Sequence, residues 1–339
     1  MIFTEKPGQK KISETVSLAE ILSPVKADLD RVEIYLSKWA ESASPVIRKM
    51  ARAAFRKPGK LIRPGLLLLV ASQLGYKGPK RIAAAAAVEA VHTASLIHDD
   101  IIDSSDTRRG QKTIAQAYGE KLGLLLGDFF FIRSISNSVT AISPAITEYL
   151  AKVTEKMIEG EAEELAHMLD FSLQEKTYWH IIENKTACLF EATCLIAAEL
   201  AGAPPGEKKA LSVYGKNLGL AFQVVDDLMD ITGSSEETGK PAFSDLREGR
   251  LTLPFILARN LSGQTSQNKL KRLIKESREN HRNLNKLLEW LESTGALSLT
   301  YHQAEQLIDK SKKSVEHLKA TPYQQSLRQM ADFILQRKY

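Results

Sequence analysis

Apolar side chains recur every three or four residues along most of the chain, which is the spacing of amphipathic α-helices. In the segment 13–50, for example, Leu29, Val32 and Leu36 follow this spacing, and the pattern breaks near Pro24. Further helices are predicted at 63–75, 79–106, 121–140, 144–170, 174–200, 205–231, 267–277, 284–293, 300–318 and 322–338, and from 251 onward. No stretch shows sustained alternation of apolar and polar residues, so the sequence predicts an all-α protein.

The segment 232–250 differs from the helical stretches because it is rich in Gly, Ser and charged residues. Loops of this length are uncommon inside a compact domain unless they are functional or disordered, so a mobile lid over a site is predicted here. The rest of the chain has no recognisable linker. We therefore expect one domain over residues 1–339, with a flexible N-terminus at 1–12.

The composition is that of a globular protein, with 43% hydrophobic and 26% charged residues among 339. The longest apolar stretches, such as 66–71 and 82–88, fall short of the roughly 20 residues that cross a bilayer, so no membrane span is expected. Charge and proline stand where a secretory signal needs an apolar region. Cys188 and Cys194 lack a metal-ligand spacing and are predicted to be reduced thiols, which favours a cytoplasmic location.

Net charge is +5, which only slightly favours anionic partners, and the basic stretches are interrupted by apolar residues at helical intervals. Solvated helix faces explain these stretches better than a nucleic-acid surface does. No nucleic-acid partner is therefore expected.

Two Asp-rich clusters each end an apolar helical stretch: Asp99 to Asp103, and Asp226 to Asp230 with Asp227 between them. Carboxylates at positions i and i+4 share one helix face and repel each other, and a hard divalent cation such as Mg²⁺ relieves that repulsion. Zinc is disfavoured because neither cluster contains His or Cys. One such cluster alone is more often a solvated helix end or a cap, but two copies favour a metal site.

Cationic residues accompany both clusters. Arg108 and Arg109 follow the first cluster and Lys240 follows the second. Such side chains are the usual partners of phosphate oxygens, so the pattern suggests a diphosphate bridged by Mg²⁺. Lys60 and Arg63 add a cationic pair at a predicted helix N-terminus, which also favours an anion.

Other candidate residues carry weaker signals. Taken alone, Lys185 is more often a surface side chain and His92 a satisfied core residue. The glycine frames of nucleotide-binding loops are missing, and no nucleophile motif is present.

Together these residues resemble the motifs of the trans-isoprenyl diphosphate synthases, the polyprenyl synthetase family. The matching stretches are GKLIRP at 59–64, HTASLIHDDIID at 92–103, RRG at 108–110, GD at 127–128, KT at 185–186, AFQVVDDLMD at 221–230, GKP at 239–241 and DLREGRLTLP at 245–254. The resemblance implies the all-α isoprenoid synthase fold, with antiparallel helices around a central cavity. It also implies a homodimer, with both Asp-rich clusters facing each other across the mouth of the cavity.

The resemblance implies three sets of site residues. Mg²⁺ ions, three per site, would be held by Asp99, Asp103, Asp226, Asp227 and Asp230. The allylic diphosphate would contact Arg108, Lys185, Thr186, Gln223 and Lys240, of which the last four carry the catalytic role. Isopentenyl diphosphate would contact Lys60, Arg63, His92 and Arg109. The implied reaction ionises the allylic diphosphate, condenses the cation head-to-tail with isopentenyl diphosphate and eliminates a proton.

Product length is expected to depend on the residues below Asp99. Short-chain members of the family carry bulky aromatics four or five residues upstream, where this chain has Ser95 and Ala94, with Val91 beneath. The resemblance therefore implies a medium- or long-chain product of about 30 to 50 carbon atoms, because small residues leave the cavity open. The stretch 129–131, Phe-Phe-Phe, could close its floor, so a farnesyl or geranylgeranyl diphosphate synthase remains an alternative.

Three positions depart from the family pattern. Phe243 stands where Gly is usual, in a segment 242–244 that replaces a small-Gly-polar pattern, Arg250 replaces a Lys, and the segment 111–113 lacks a common Pro. We expect the Phe243 change to matter most, because a bulky residue there could alter lid closure.

Three other functions are weighed against this one. A terpene cyclase would need an Asn-Ser-Glu-type second metal motif in place of Asp226 to Asp230. A non-catalytic regulatory subunit would be expected to lose metal ligands, and both clusters are complete. The catalytic half of a two-component synthase stays open, as does transient membrane contact during release of an apolar product.

Overall fold

Helices make up nearly all regular structure in the computed structural model, which describes residues 16–42, 44–56, 59–108, 110–233, 242–279 and 283–337. The α-helices are α1 (Leu18–Leu22), α2 (Lys26–Trp39), α3 (Pro45–Ala54), α4 (Ile62–Gln73), α5 (Lys80–Ile102), α6 (Ile114–Tyr118), α7 (Glu120–Ala141), α8 (Pro144–Ala166), α9 (Glu175–Ile182), α10 (Cys188–Leu200), α11 (Pro205–Thr232), α12 (Ser244–Glu248), α13 (Leu253–Leu261), α14 (Gln264–Glu279), α15 (Leu284–Ser293), α16 (Ala296–Ser314) and α17 (Pro322–Leu335). The all-α prediction is confirmed.

Two short irregular pieces accompany the helices. A 3₁₀ turn, Ser23–Val25, follows α1, and a π-helix, Glu183–Ala187, joins α9 to α10. Among the described residues the only sheet is a hairpin of two-residue strands, β1 (Thr107–Arg108) and β2 (Gln111–Lys112), which pair antiparallel. Strands this short leave no apolar and polar alternation in the sequence, which is why the period gave no sign of them.

Local signals explain several helix starts. Ser44 and Ser143 accept hydrogen bonds from backbone N–H groups of the first turns of α3 and α8, and a proline follows each serine. Thr321 caps α17 in the same way. A hydroxyl at the N-cap satisfies an otherwise unpaired N–H, and proline at the first helical position needs no such partner. These starts could therefore be predicted from sequence alone.

The core is centred on α4 and α5. Every residue of α4 from Ile62 to Ala71 is buried, as is the alanine run 83–87 of α5. α5 packs most extensively on α7, and α11 on α16 and α10. Small side chains let the neighbouring helices approach α5 closely. The two helices that end in the Asp-rich clusters, α5 and α11, thus both pack extensively on their neighbours.

The π-helix Glu183–Ala187 interrupts the stretch 174–200, which the sequence predicts as a regular helix. Gly160 of α8 lies against it, because a Cβ at that position would be 2.5 Å from the backbone nitrogen of Lys185. Insertions of this kind often occur at functional sites. Here the π-helix carries Lys185 and Thr186.

Part of the predicted lid lies outside the described residues. The structure describes 242–250 of this segment, which contains α12, but not 234–241, which includes Lys240. Arg109 and the predicted flexible segment 1–12 also lie outside the described residues.

Length and composition alone would let one described helix, α7, cross a membrane. A third of its apolar window is buried, and helices of a protein core pass the same test. This is weak support for a span.

Candidate active site

Side chains from both Asp-rich clusters line one cavity of about 150 Å³. Asp103 reaches it from the end of α5 and Asp227 from α11, and Lys185 and Gln223 also line its wall. One residue of each cluster, Asp103 and Asp227, therefore faces the same space.

The first cluster is buried beside cations. Asp103 caps α5, and its carboxylate accepts a hydrogen bond of 2.8 Å from Nη1 of Arg250. Burial is the main cause that raises the pKa of Asp99 to about 7; Glu161 and Asp103 contribute to the rise, while Lys185 and Arg108 oppose it. A bound cation would therefore lower the free energy of the ionised Asp99.

Arg108 is tied to the middle of the same cluster. Its Nε donates to Oδ1 of Asp100 at 2.8 Å, and Asp100 is 6% exposed. Arg108 lies in the β1–β2 hairpin, so this ion pair fixes the hairpin against the end of α5.

Lys185 lies between two acidic residues of α8. Its Nζ is 2.7 Å from Oε2 of Glu161 and 2.5 Å from Oε2 of Glu164. Burial alone would lower the pKa of Lys185, but these carboxylates raise it, so the side chain is a fixed cation. Glu161 and Glu164 were not predicted as site residues from the sequence. Their spacing of three on one helix was the available signal, because it places both on one face.

Arg250 connects the first cluster to the described part of the lid segment. Besides Asp103, it forms an ion pair of 3.2 Å with Asp245, contacts Glu248, and lies 4.0 Å from Glu164. Its side chain is 12% exposed. The Arg that departs from the family pattern is thus a buried, multiply paired cation, and the guanidinium fork suits this better than a single ammonium would.

The second cluster contains a chain of hydrogen bonds around Asp227, which is 2% exposed. Tyr178 donates to Oδ2 of Asp227 at 2.5 Å, and Nε2 of Gln223 donates to Oδ1 at 2.9 Å. Thr186 donates to Oε1 of Gln223 at 2.8 Å. Burial and Asp245 raise the pKa of Asp227, and the donors Tyr178 and Gln223 lower it. The sequence analysis missed Tyr178.

Asp230 joins α11 to α12. It accepts hydrogen bonds from the backbone N–H of Ser244 at 2.9 Å and of Asp245 at 3.2 Å, and from the Ser244 hydroxyl. Burial and Asp245 raise the pKa of Asp230 to about 6.

Phe243 comes just before the residues that bind Asp230. Its φ is 61°, a left-handed conformation that favours glycine, and its ring is buried. The glycine that the resemblance implies at this position would fit this backbone.

Asp226 is paired with a residue from the other end of the described chain. Nη2 of Arg337 lies 2.8 Å from its Oδ1, and the guanidinium is 4.0 Å from the centroid of the Phe222 ring. The Arg337 side chain is 2% exposed. An arginine near the C-terminus gives no sequence signal for such a contact, so this residue was missed as well.

Two residues predicted for isopentenyl diphosphate lie together. Nη1 of Arg63 is 3.0 Å from Nε2 of His92, and the Arg63 guanidinium stacks 4.4 Å from the Phe190 ring centroid. Burial lowers the pKa of Arg63 to about 10, and the group stays cationic at neutral pH. Lys60 is exposed just before α4.

The predicted chain-length residues lie below the first cluster. Val91 and Ala94 are fully buried, and Ser95 is half-buried with its hydroxyl bonded to the carbonyl of His92. Ala94 shares a buried cluster with Leu126 and Phe130. An aromatic of the 129–131 stretch therefore does fill space on the Ala94 side.

The donor set fits a hard divalent cation. Both clusters offer only carboxylate oxygens, which Mg²⁺ prefers. Burial, which disfavours the charged carboxylate, is the main cause of the raised pKa of Asp99, and a bound cation would offset that cost. Among the described residues, no three His, Cys, Asp or Glu side chains already converge as a metal site. The assignment of Asp99, Asp103, Asp226, Asp227 and Asp230 as ligands therefore stays a prediction.

Comparison with known proteins agrees with these motifs. The profile of the polyprenyl synthetase family matches residues 44–291. The chain is 33% identical over 322 residues to the octaprenyl diphosphate synthase of Escherichia coli (strain K12), covering 95% of this chain and 99% of that protein. It is 32% identical to the heptaprenyl diphosphate synthase component 2 of Geobacillus stearothermophilus, covering 96% and 100%.

A solved structure shows the same fold. The polyprenyl synthase from Caulobacter crescentus CB15, crystallised with calcium and isoprenyl diphosphate, matches with a TM-score of 0.90 and 33% identity. The match covers 97% of this chain and 100% of that one. The all-α isoprenoid synthase fold is thereby confirmed. Since the profile spans more than half of the chain and the relatives match along nearly their whole length, the chain belongs to the polyprenyl synthetase family.

Proposed function

We propose that this chain is a trans-polyprenyl diphosphate synthase, which condenses isopentenyl diphosphate head-to-tail with an allylic diphosphate. The observation that carries the proposal is the shared cavity, in which Asp103 and Asp227 of the two clusters meet Lys185 and Gln223. Acidic and cationic groups around one space suit a metal-bridged diphosphate.

The site residues divide the work between two substrates. Lys185, Thr186 and Gln223, with Arg108 and Lys240, bind the allylic diphosphate, whose C–O bond ionises. The Asp-rich clusters would hold magnesium, predicted at three ions per site, and the metal would supply charge neutralisation for the departing pyrophosphate.

The second substrate then reacts with the allylic cation. Arg63 and His92, with Lys60 and Arg109, hold isopentenyl diphosphate so that its double bond attacks the cation. A proton passes to the released pyrophosphate, and the product is an allylic diphosphate five carbons longer than the primer. The apolar core around α4 and α5 excludes water from the cation.

Small residues below Asp99 support a medium- or long-chain product of about 30 to 50 carbon atoms. Val91, Ala94 and Ser95 all lack bulk, and the Escherichia coli relative is named an octaprenyl diphosphate synthase. Phe130 fills space beside Ala94, in the same buried cluster.

The test is incubation of the purified chain with Mg²⁺, labelled isopentenyl diphosphate and farnesyl diphosphate, with products resolved by length. A ladder that ends at one length above about 20 carbons supports the proposal. Ala94→Phe should shorten the product, whereas Ala40→Val, in the same buried cluster but remote from Asp99 in sequence, should not. Products that stop at the geranylgeranyl length in the wild type would favour the short-chain alternative.

A homodimer fits the exposed face of α7. Leu125, Ile132 and Val139 lie seven residues apart on one stripe and are 54%, 68% and 53% exposed. A second copy of the chain would bury this apolar stripe. Light scattering should give a dimer for the wild type and a monomer for Ile132→Lys.

One observation supports a second candidate, the catalytic subunit of a two-component synthase. The Geobacillus stearothermophilus relative is named as a component of such an enzyme, and it matches along its whole length. A purified chain that elongates nothing until a second protein is added would favour this candidate.

Two buried free thiols, Cys188 and Cys194, support the proposed cytoplasmic location, since reducing compartments preserve them. Release of a long apolar product also favours transient membrane contact. Sedimentation with lipid vesicles before and after product formation tests that contact.

A further inference from the structure

A buried tyrosine closes the hydrogen-bond chain of the second Asp-rich cluster. Tyr178 of α9 is 4% exposed, and its hydroxyl donates to Oδ2 of Asp227 at 2.5 Å. The other oxygen of that carboxylate accepts from Gln223 at 2.9 Å. Both oxygens of Asp227 are therefore engaged by neutral donors.

This arrangement fixes the amide of Gln223. A carboxylate only accepts, so the amide nitrogen must face Asp227 and the amide oxygen must face Thr186, which donates to it at 2.8 Å. Among the described residues, no further acceptor binds the Gln223 nitrogen. Its second N–H thus remains available to a ligand in the cavity that Gln223 lines.

We infer that Tyr178 is a positioning residue, which acts through Asp227 to hold Gln223 and Thr186 in the orientation that binds the allylic diphosphate. The inference rests on the proposed function for the identity of that ligand. Asp227 connects the two residues because its carboxylate accepts hydrogen bonds from both Tyr178 and Gln223.

The physical advantage is pre-organisation. Without the tyrosine hydroxyl, one oxygen of Asp227, a residue that is only 2% exposed, loses its donor, and the carboxylate can turn toward Gln223 or Thr186. The amide then has several orientations, and only one of them presents N–H to the ligand. Binding energy must then be used to order it.

The test compares two buried tyrosines. Tyr178→Phe removes the hydroxyl at the site, and Tyr214→Phe removes one that donates at 2.7 Å to the carbonyl of Leu327, away from the cavity. Both variants lose one buried hydrogen bond, so both should lower the melting temperature by a few degrees. Only Tyr178→Phe should weaken binding of inorganic pyrophosphate with Mg²⁺, by about tenfold in calorimetry.

Kinetics supplies a second readout. For Tyr178→Phe, kcat/KM for farnesyl diphosphate should fall about tenfold while KM for isopentenyl diphosphate changes less than about twofold. Gln223→Met cuts the same chain, so Tyr178→Phe combined with Gln223→Met should be no worse than Gln223→Met alone. Equal behaviour of Tyr178→Phe and Tyr214→Phe, or losses that multiply with Gln223→Met, would overturn the inference.

The outcomes also separate this inference from the proposed function. If the wild type elongates nothing yet binds pyrophosphate, the proposed function fails and the comparison of the two tyrosines still decides the role of Tyr178. If the wild type binds no pyrophosphate, both fail. Should Tyr178→Phe not fold, Asp227→Asn breaks the network at its centre, and unchanged pyrophosphate binding in that variant would contradict the inference.

Discussion

The carboxylates at the end of α5 and those at the end of α11 share a spacing but have different partners. Asp103 is bonded to Arg250 at 2.8 Å, and Asp99 lies in the field of Lys185. In α11, by contrast, Asp227 and Asp230 accept hydrogen bonds from hydroxyl, amide and backbone N–H groups. Among the described residues, Asp226 is the one member of the α11 trio that is paired with a cation, Arg337.

The partners of the α5 carboxylates balance their charge, whereas most partners of the α11 carboxylates set their orientation. A metal ion can take the place of the cations opposite Asp99 and Asp103 because it also supplies positive charge, whereas the neutral donors to Asp227 and Asp230 fix positions. We therefore expect the α5 cluster to be the main ligand-exchange region and the α11 cluster to supply more of the scaffold.

The largest effect should come from the carboxylates that face cations. Asp99→Asn and Asp103→Asn should each lower kcat/KM for farnesyl diphosphate about a thousandfold, because a metal ligand and its charge are lost. Asp230→Asn keeps one acceptor oxygen and should cost only about tenfold. Asp309→Asn, an exposed residue of α16, serves as the control. Equal losses of kcat/KM in Asp103→Asn and Asp230→Asn would contradict the distinction between the two clusters.

Arg250 gives the next largest effect. Arg250→Gln leaves the buried carboxylates of Asp103, Asp245 and Glu248 without their shared cation, so activity should fall about a hundredfold and the melting temperature should drop. Arg250→Lys restores the charge and should recover most of the loss, with a remaining deficit of about tenfold because the fork geometry is missing. Steady-state kinetics and thermal melts measure both. A lysine variant no better than the glutamine one would contradict a charge-based role.

Metal affinity should depend on pH through Asp99, whose pKa burial raises to about 7. Since Mg²⁺ needs the ionised carboxylate, its affinity should fall by up to about tenfold per pH unit below 7. Asp99→Asn should flatten this dependence in calorimetric titrations. A pH-independent affinity in the wild type would argue against Asp99 as a ligand.

The same shift has a stability consequence of opposite sign. An unfolded Asp releases its proton near 3.9, so without metal the folded protein binds more protons between about pH 4 and 7. This carboxyl therefore makes the metal-free protein less stable as pH rises across that window. Added Mg²⁺ should remove the loss.

The smallest effect on activity should come from the hydrogen bonds that join Asp230 of α11 to Ser244 and Asp245 of α12. Ser244→Ala removes one hydroxyl donor to Asp230 but keeps two backbone donors, so unfolding should cost about 1 kcal/mol less and activity should fall only a few-fold. Ser311→Ala removes a buried hydroxyl that donates to the carbonyl of Tyr214. It should lose similar stability in urea melts without losing activity. Identical activity in Ser244→Ala and Ser311→Ala would show that the hydroxyl of Ser244 has no role in the active site.

The sequence predicted the helices and the family because both depend on local signals. Apolar periodicity and caps such as Ser143 set helix limits, and the motif residues Asp99, Lys185 and Asp226 stand at fixed spacings. The contacts made by Arg337 to Asp226 and by Arg250 to Asp103 join residues 111 and 147 positions apart. No periodicity encodes such pairs. The π-helix was missed for a related reason, because the tight approach of α8 at Gly160, a tertiary contact, accompanies it.

The most direct test is a crystal structure of the protein with Mn²⁺ and inorganic pyrophosphate, in which anomalous scattering locates the metal ions. The account predicts Mn²⁺ on Asp99 and Asp103 with Arg250 moved off Asp103, while the Tyr178 hydroxyl still donates to Asp227. Loss of the Tyr178 hydrogen bond to Asp227 on metal binding, with Arg250 still paired with Asp103, would contradict it.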